Sequence, residues 1–146
     1  MALCDRNCNV IAPFVSAPGN HNESPMLASA LKSLKGAIKA IGASIAKSTL
    51  SLDGVYNCRS NRKAIFNSGM IPNINENRRN RKKTKRGRKQ TFSQKIFEER
   101  FSTIERVFAW EDKFKRLLLR FERKSIHHYA LKLIAYAMIN LRHFCT

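Results

Sequence analysis

Apolar residues in the first third of the chain change from strand-like to helix-like spacing. A short apolar run at residues 10–15 follows the turn-forming residues 5–9, which predicts a β-hairpin that ends at Pro18. Pro25 suits the first turn of a helix. Apolar residues then recur every three or four positions, which predicts one amphipathic helix. Its stripe comprises Leu27, Leu31, Leu34, Ile38, Ile41 and Ile45.

The next quarter of the chain predicts the rest of a small α/β unit. Segment 49–56 has the composition of a buried strand that ends in a turn, with Asp53 at its carboxyl end. A short helix, closed by a glycine, is predicted over residues 60–66. Pro72 confines the last strand, residues 70–74, to a sheet edge. The order strand, strand, helix, strand, helix, strand predicts an α/β sheet.

The C-terminal third predicts helices. An apolar stripe comprises Phe97, Phe101, Ile104 and Phe108, and it continues through Trp110, Phe114, Leu117, Leu118 and Phe121. A final helix over residues 125–144 carries a stripe of Leu131, Ile134, Met138 and Leu141. We therefore predict one domain, with a partial α/β core in residues 1–75, a linker in residues 76–95 and helices in residues 96–146.

The charge of the chain indicates a polyanionic partner. The formal net charge is +18, from 28 Lys and Arg against 10 Asp and Glu. Such a field attracts DNA or RNA. Nine of the twelve residues in 78–89 are basic and none is acidic, so this run is predicted to bind nucleic acid with little sequence preference. A membrane surface bound by the helix over residues 25–47 is the weaker alternative, and no apolar run is long enough to span a bilayer.

The four cysteines are scattered and show no repeated pair spacing. No basic and apolar leader precedes them, so we expect reduced thiols in a cytoplasmic protein. Cys4, Cys8 and His21 have one zinc-like gap, but no second histidine follows at finger spacing. A zinc site is therefore disfavoured.

Two carboxylates stand out as candidate chemical groups. Asp53 ends an otherwise apolar strand, where a carboxylate is costly to bury unless it binds a metal or accepts hydrogen bonds. It could equally begin the turn before Gly54. Glu105 lies at the margin of an apolar helix face. Taken alone, an ion pair with a neighbouring arginine is the simpler interpretation of Glu105.

A long segment in the C-terminal third is similar to the glutamate signature of bacterial insertion-sequence DDE transposases. It consists of Ile-Glu-Arg-Val-Phe-Ala-Trp at residues 104–110, Phe-Lys-Arg-Leu-Leu at 114–118 and Arg-Phe-Glu at 120–122. The family pattern is an apolar residue, Glu-Arg, an aromatic residue and Ala-Trp, followed by Arg-Leu and Arg-aromatic-Glu segments. Leu-Asp-Gly-Val-Tyr at 52–56 resembles the second aspartate of the family and its turn, and 18–24 resembles the loop after the hairpin.

The resemblance implies an RNase H-like mixed sheet flanked by helices, in which three carboxylates hold two divalent ions, magnesium or manganese. Asp53 and Glu105 match two of them, as catalytic residues and metal ligands. We expect the Asp53 strand at the sheet centre and the two carboxylates within about 4–7 Å of each other. The implied partners are insertion-sequence ends, target DNA and a second copy of the chain. The expected DNA contacts are Arg62, Lys63, Arg78, Arg79, Arg81, Lys82, Lys83, Lys85, Arg86, Arg88, Lys89, Arg106, Lys113 and Lys115.

The chain departs from the family pattern at the first aspartate. The family places it on a strand before the hairpin, and Asp5 corresponds to a turn residue instead. Glu98 and Phe101 stand where the family often has a tyrosine and an arginine. We therefore expect a fold truncated at its N-terminal strand and a chain that is catalytically inactive alone. The alternative is a non-enzymatic basic nucleic-acid-binding protein, which needs the charge but neither Asp53 nor Glu105.

Overall fold

The computed structural model describes residues 1–11, 15–18, 20–76, 90–142 and 145. It combines helices and strands, which confirms the predicted α/β class at that level. In chain order the elements are α1 (Leu27–Ala40), β1 (Thr49–Leu52), α2 (Arg59–Asn67), β2 (Ile71–Ile74), α3 (Gln94–Glu111), α4 (Lys115–Leu119) and α5 (Ser125–Leu141), with 3-10 turns at Ser24–Met26 and Gly54–Tyr56. No described helix is both long and apolar enough to cross a membrane.

The sheet has two parallel strands in the described part of the chain. Thr49 lies beside Ile71 and Leu52 beside Ile74. Pro72 has no N–H to offer a further strand, and β2 is an edge strand as predicted. The other side of β1 has no strand partner among the described residues. The prediction that β1 is central in the sheet is therefore wrong for these residues, because only β2 pairs with it.

The main core lies between this sheet and helices α1 and α2. The apolar stripe of α1 supplies its largest share. The cluster comprises Leu3, Leu27, Ala30, Leu31, Leu34, Leu52, Tyr56, Ile65, Met70 and Ile74. Because helices and strands alternate here, each element finds an apolar neighbour close by in the sequence.

Helix α1 is shorter than its apolar stripe predicts. It ends at Ala40, and Gly42 adopts a left-handed φ of 68°, a conformation that terminates helices. Ile41 is consequently 74% exposed. The predicted continuation of the helix through Ile41 and Ile45 is wrong, because the backbone turns after Ala40. Ile45 still packs against the main core, from the segment that follows the helix.

The predicted N-terminal hairpin contains one antiparallel bridge among the described residues, between Cys4 and Val10. Asp5 accepts hydrogen bonds from the N–H groups of Asn7 and Asn9, at 2.9 and 2.8 Å, which confirms it as a turn residue. Asn140 of α5 accepts a hydrogen bond from Val10 N at 2.9 Å and donates one to Val10 O at 2.8 Å. This side-chain amide ties α5 to the hairpin.

Helix α3 packs on the sheet with a face that its apolar pattern does not predict. Ser93, its N-cap, exchanges two backbone hydrogen bonds with the side chain of Asn73 in β2, at 2.7 and 3.1 Å. The buried residues of α3 are Thr103 and Val107. Phe101, from the predicted stripe, is 60% exposed. The predicted stripe is therefore wrong at Phe101 and Phe108, which are exposed. Its other part is covered, because Trp110 and Phe114 pack against buried residues of α5 and the hairpin.

Helix α5 shows the same difference between pattern and packing. Its buried residues are Ala135, Tyr136 and Ile139. The predicted residues Ile134, Met138 and Leu141 are all more than half exposed. The buried side forms a second, smaller cluster with Cys8 and Val107. The predicted helix is present, but its apolar stripe is wrong at Ile134, Met138 and Leu141, because α3 and the hairpin contact another side of α5.

Candidate functional site

Asp53 follows β1 directly and begins the next turn. Its Oδ1 accepts a hydrogen bond from Gly54 N, and the 3-10 turn Gly54–Tyr56 follows. The side chain is exposed at the carboxyl end of the strand. Asp53 therefore has the turn-forming role that its position allowed, and it still presents a carboxylate to the cavities at this end of the sheet.

A cavity of about 530 Å³ lies between Asp53 and the first turns of α3. Its lining residues are Asp53, Gln94, Phe97, Glu98, Arg100, Phe101 and Ser102. The guanidinium of Arg100 lies 4.8 Å from the centre of the Phe97 ring, a cation–π contact that holds a positive charge near the cavity. Glu98 is thus the α3 carboxylate that shares a cavity with Asp53.

Glu105 lies elsewhere on the same helix. It is two turns after Glu98, about 10 Å farther along the axis, and it is exposed. It lines neither of the two cavities that Asp53 lines. The approach of Asp53 and Glu105 to within metal-binding distance therefore stays a prediction.

A larger groove of about 1180 Å³ also reaches Asp53. Residues 1–6, residues 48–53 and helix α3 line most of it, and we call it the sheet groove. Two of its carboxylates already have partners. Glu23 accepts a hydrogen bond from Tyr56 Oη at 2.8 Å, and Glu99 is paired with Arg6. Burial, and then the Glu23 contact, raises the pKa of Tyr56, while the Arg6 hydrogen bond lowers the pKa of Glu99.

The donor set does not fit a two-metal centre. Within the described ranges, no group of three or more His, Cys, Asp or Glu side chains could hold a metal ion. Asp53 and Glu98 provide two carboxylates at one cavity, and magnesium binds such a pair weakly because it keeps its waters. Cys4, Cys8 and His21 likewise form no metal-binding group.

The predicted DNA-binding residues divide into three sets. Arg62 is half-buried and donates to Asn57 Oδ1 at 3.0 Å and to Ile74 O at 2.8 Å, so part of its guanidinium stabilises the fold. Lys63, Arg106, Lys113 and Lys115 are exposed and accessible to a phosphate backbone. The nine basic residues of 78–89 lie outside the described residues.

The cysteines that the structure describes are free thiols in contrasting surroundings. Burial raises the pKa of Cys4 to about 11. Cys58, at the start of α2, is exposed and lies 3.1 Å from Ser60 Oγ. This hydrogen bond lowers the pKa of Cys58. The reduced state of the cysteines stays a prediction.

Sequence reasoning missed two residues that shape this region. Glu98 precedes Glu105 by seven positions and so projects from the same side of α3, a spacing that could have marked it as a candidate. Asn140 contacts Val10 across 130 residues of chain, and no local pattern signals that contact.

Comparison with known proteins finds no match. No family model, curated protein or solved structure is similar to the chain.

Proposed function

We propose that this chain is part of the catalytic domain of an insertion-sequence DDE transposase with an RNase H-like architecture, and that it binds DNA without cleaving it. One observation carries the proposal. Asp53 stands at the carboxyl end of a parallel strand, and α3, which bears the glutamate signature, packs on the same sheet with its first turns beside Asp53. An acidic strand end facing a helix with carboxylates suits phosphoryl-transfer chemistry.

Inactivity of the isolated chain follows from its ligands. In-line transfer with two metal ions needs enough anionic oxygens to hold both ions. The described cavity at Asp53 brings one further carboxylate, Glu98. We propose that magnesium or manganese binds only when another carboxylate is supplied, with Asp53 and Glu105 as its partners.

DNA binding is supported by the charge. The net charge of +18 and the exposed Lys63, Arg106, Lys113 and Lys115 favour contacts to phosphates, which carry no sequence information. If about six phosphates are neutralised, log K should fall with log salt at a slope of roughly −5. Fluorescence anisotropy with a short labelled duplex of arbitrary sequence measures this slope. Affinity that is independent of salt would contradict the proposal.

A matched pair of triple variants locates the DNA contacts. Replacing Lys82, Lys83 and Lys85 with glutamine should reduce the salt slope by up to about 3. Replacing the exposed Lys32, Lys35 and Lys39 of α1 with glutamine removes the same charge from a different segment of the chain. An equal effect of the two replacements would show that the charge acts only as a diffuse field.

A nicking assay tests the inactivity. The chain, with magnesium or manganese and a supercoiled plasmid, should produce no nicked product above that of the buffer. Metal-dependent nicking that Asp53→Asn abolishes would contradict the proposal that the chain lacks a carboxylate needed for cleavage. Nicking that Asp53→Asn leaves unchanged would indicate a contaminating nuclease.

A non-enzymatic basic nucleic-acid-binding protein is the second candidate. The observation in its favour is that Glu105 lines neither of the two cavities at Asp53. A protein that only binds DNA needs neither carboxylate. Manganese titration followed by electron paramagnetic resonance separates the two candidates. A weak site that Asp53→Asn removes supports the transposase assignment, and equal manganese binding by both proteins supports the second candidate.

A further inference from the structure

Helix α5 has an exposed face that consists of apolar side chains only. At 3.6 residues per turn, six of its residues fall within an arc of about 100°, on the side opposite the buried Ala135 and Ile139. All six are exposed, and we call them the α5 face. They are Ile126, Ala130, Leu133, Ile134, Ala137 and Leu141. The face extends along about 22 Å of the helix.

The order of large and small residues along the α5 face is the same in both directions. From Ile126 to Leu141 it is large, small, large, large, small, large, and the spacings between these residues are also symmetric. The midpoint lies between Leu133 and Ile134. A two-fold axis through this point, perpendicular to the helix, therefore places each position opposite one of the same size. A two-fold dimer needs such a surface, because the same patch supplies both sides of its interface.

The α5 face is also free of charged side chains in a strongly basic chain. The net charge of +18 makes two copies repel each other in most orientations. Lys132 of α5 points away from the face, and its Nζ lies 2.7 Å from a carboxylate oxygen of Glu111. Arg142, which follows α5, lies over the Trp110 ring, 4.2 Å from its centre. Two copies can therefore meet at this face without bringing these cations together.

The charges that precede α5 favour an antiparallel orientation of two such helices. Arg123 and Lys124 are exposed just before its first turn. Parallel packing would place these cations of both copies side by side. Antiparallel packing separates them by more than ~20 Å, well beyond the Debye length of ~8 Å at physiological salt. It also brings them near the C-terminal end of the opposite helix, where unpaired carbonyl groups attract cations.

We propose that the α5 face is the interface of a two-fold homodimer, in which α5 packs antiparallel against α5 of a second copy. Ala130 then lies opposite Ala137 of the partner subunit, and Leu133 lies opposite Ile134 of the partner subunit. The alanines allow the helix axes to approach to about 8 Å, the short end of the usual range. Dimer formation needs neither DNA nor a metal ion, so its failure would leave the proposed function untouched.

The size of the α5 face indicates a weak dimer. Its exposed area is about 500 Å² per copy, whereas a standard stable interface buries about 800 Å² on each partner. Salt should strengthen the association, because it screens the repulsion between two basic chains. DNA binding has the opposite salt dependence. At the ~1 μM concentration of an unfolding measurement, mass action keeps the chain monomeric.

Sedimentation of the full chain at ~10 to ~500 μM tests the dimer, because association depends on concentration. The average mass should rise from that of a monomer toward that of a dimer, and it should rise further in ~0.3 M than in ~0.1 M salt. A monomer throughout this range would overturn the proposal. Assembly beyond the dimer would do the same, because a two-fold contact is closed. A monomer that cosediments with anionic lipid vesicles would show that the face binds lipid instead.

Charge substitutions test the antiparallel pairing. Ala130→Lys and Ala137→Glu should each weaken the dimer at least about tenfold, because each places an unpaired charge against an alanine of the partner. The double variant should return to within about threefold of the native affinity, because each introduced lysine then meets an introduced glutamate. Parallel helices would instead place like charges together in the double variant.

A matched substitution outside the face separates the pairing from a general charge effect. Ala109→Lys adds the same charge at an exposed alanine of α3 and should leave the dimer unchanged. Thermal unfolding confirms that each variant is folded. A single substitution in the face without effect would overturn the proposal, and so would a double variant that stays monomeric.

Discussion

The main core and the C-terminal helices differ in how completely they bury apolar side chains. The main core buries ten residues around α1, α2 and the sheet. The cluster between α3, α5 and the hairpin buries four. Large exposed apolar residues concentrate in the C-terminal part, which has Phe101, Phe108, Leu118, Leu119, Phe121, Ile126, Leu133, Ile134, Met138 and Leu141.

This difference follows from how each region finds its packing partners. Each element of the main core lies next to its partner in sequence, so the apolar face of α1 meets the strands that follow it. The C-terminal helices depend on contacts across most of the chain, such as that of Asn140 with Val10. An apolar stripe predicts that a helix packs against another element of the fold. It does not predict which side of the helix that element will cover.

Truncation of a buried isoleucine should show the largest contrast. Ile65 in α2 is fully buried, and Ile65→Ala should lower the free energy of unfolding by about 2–5 kcal/mol, because it leaves a cavity in the main core. Ile134→Ala in α5, where the side chain is 57% exposed, should change it by less than about 0.5 kcal/mol. Urea unfolding measures both. A large loss for Ile134→Ala would mean that the exposed face of α5 is covered in solution.

The second largest contrast between the two regions should be in the reactivity of their thiols. Cys4 packs against the smaller cluster, and its pKa is raised to about 11, whereas the pKa of the exposed Cys58 is lowered. At ~pH 8 the thiolate fraction of Cys58 therefore exceeds that of Cys4, and thiolate is the reactive form. Iodoacetamide labelling followed by mass spectrometry should modify Cys58 before Cys4. Equal labelling rates in the folded protein would show that Cys4 is accessible through opening of the hairpin.

Removal of the amide that joins α5 to the hairpin should have a moderate effect. Asn140→Ala leaves the N–H and C=O of Val10 without their side-chain partner, which should cost about 1–3 kcal/mol. The exposed Asn67 at the end of α2 is the control, and Asn67→Ala should stay within about 0.5 kcal/mol. Urea unfolding gives both values. Equal losses would mean that the two regions are not joined through this contact.

Acidification should produce the smallest effect, confined to the C-terminal part. A hydrogen bond from Arg116 lowers the pKa of Glu122 from its usual value of 4.5. The ionised carboxylate therefore stabilises the fold at pH values above the usual pKa. This contribution is lost as the pH falls through the lowered pKa. The stability difference between the native chain and Glu122→Gln should shrink between ~pH 6 and ~pH 3. Arg116→Gln should remove the same pH dependence, and a difference that grows on acidification would contradict the assignment.

Local signals in the sequence predicted the structural features that one residue can decide, such as the end of a helix or the edge position of a strand. Gly69, with a left-handed φ of 80°, follows the end of α2, and Pro72 lies in an edge strand. Gly42 carried an equally local signal for the end of α1, but the apolar stripe that continued past it suggested a longer helix. Where a backbone requirement and an apolar pattern disagreed, the backbone requirement decided the structure.

The candidate site was predictable only in part. The position of Asp53 at a strand end follows from the apolar run before it and the glycine after it. The cavity that Asp53 shares with Glu98 depends on the position of α3 along the sheet. That position is set by the contact of Ser93 with Asn73, two polar residues without a distinctive pattern.

The main helices and strands, the positive charge and the turn at Asp5 follow from local sequence, because propensity, charge and local hydrogen bonds act over a few residues. Packing across the chain selected the faces of α3 and α5 that are buried and placed residues 1–6, residues 48–53 and α3 around the sheet groove. Burial depends on which surfaces meet in space. Residues such as Val10 and Asn140 are neighbours only after the whole chain has folded.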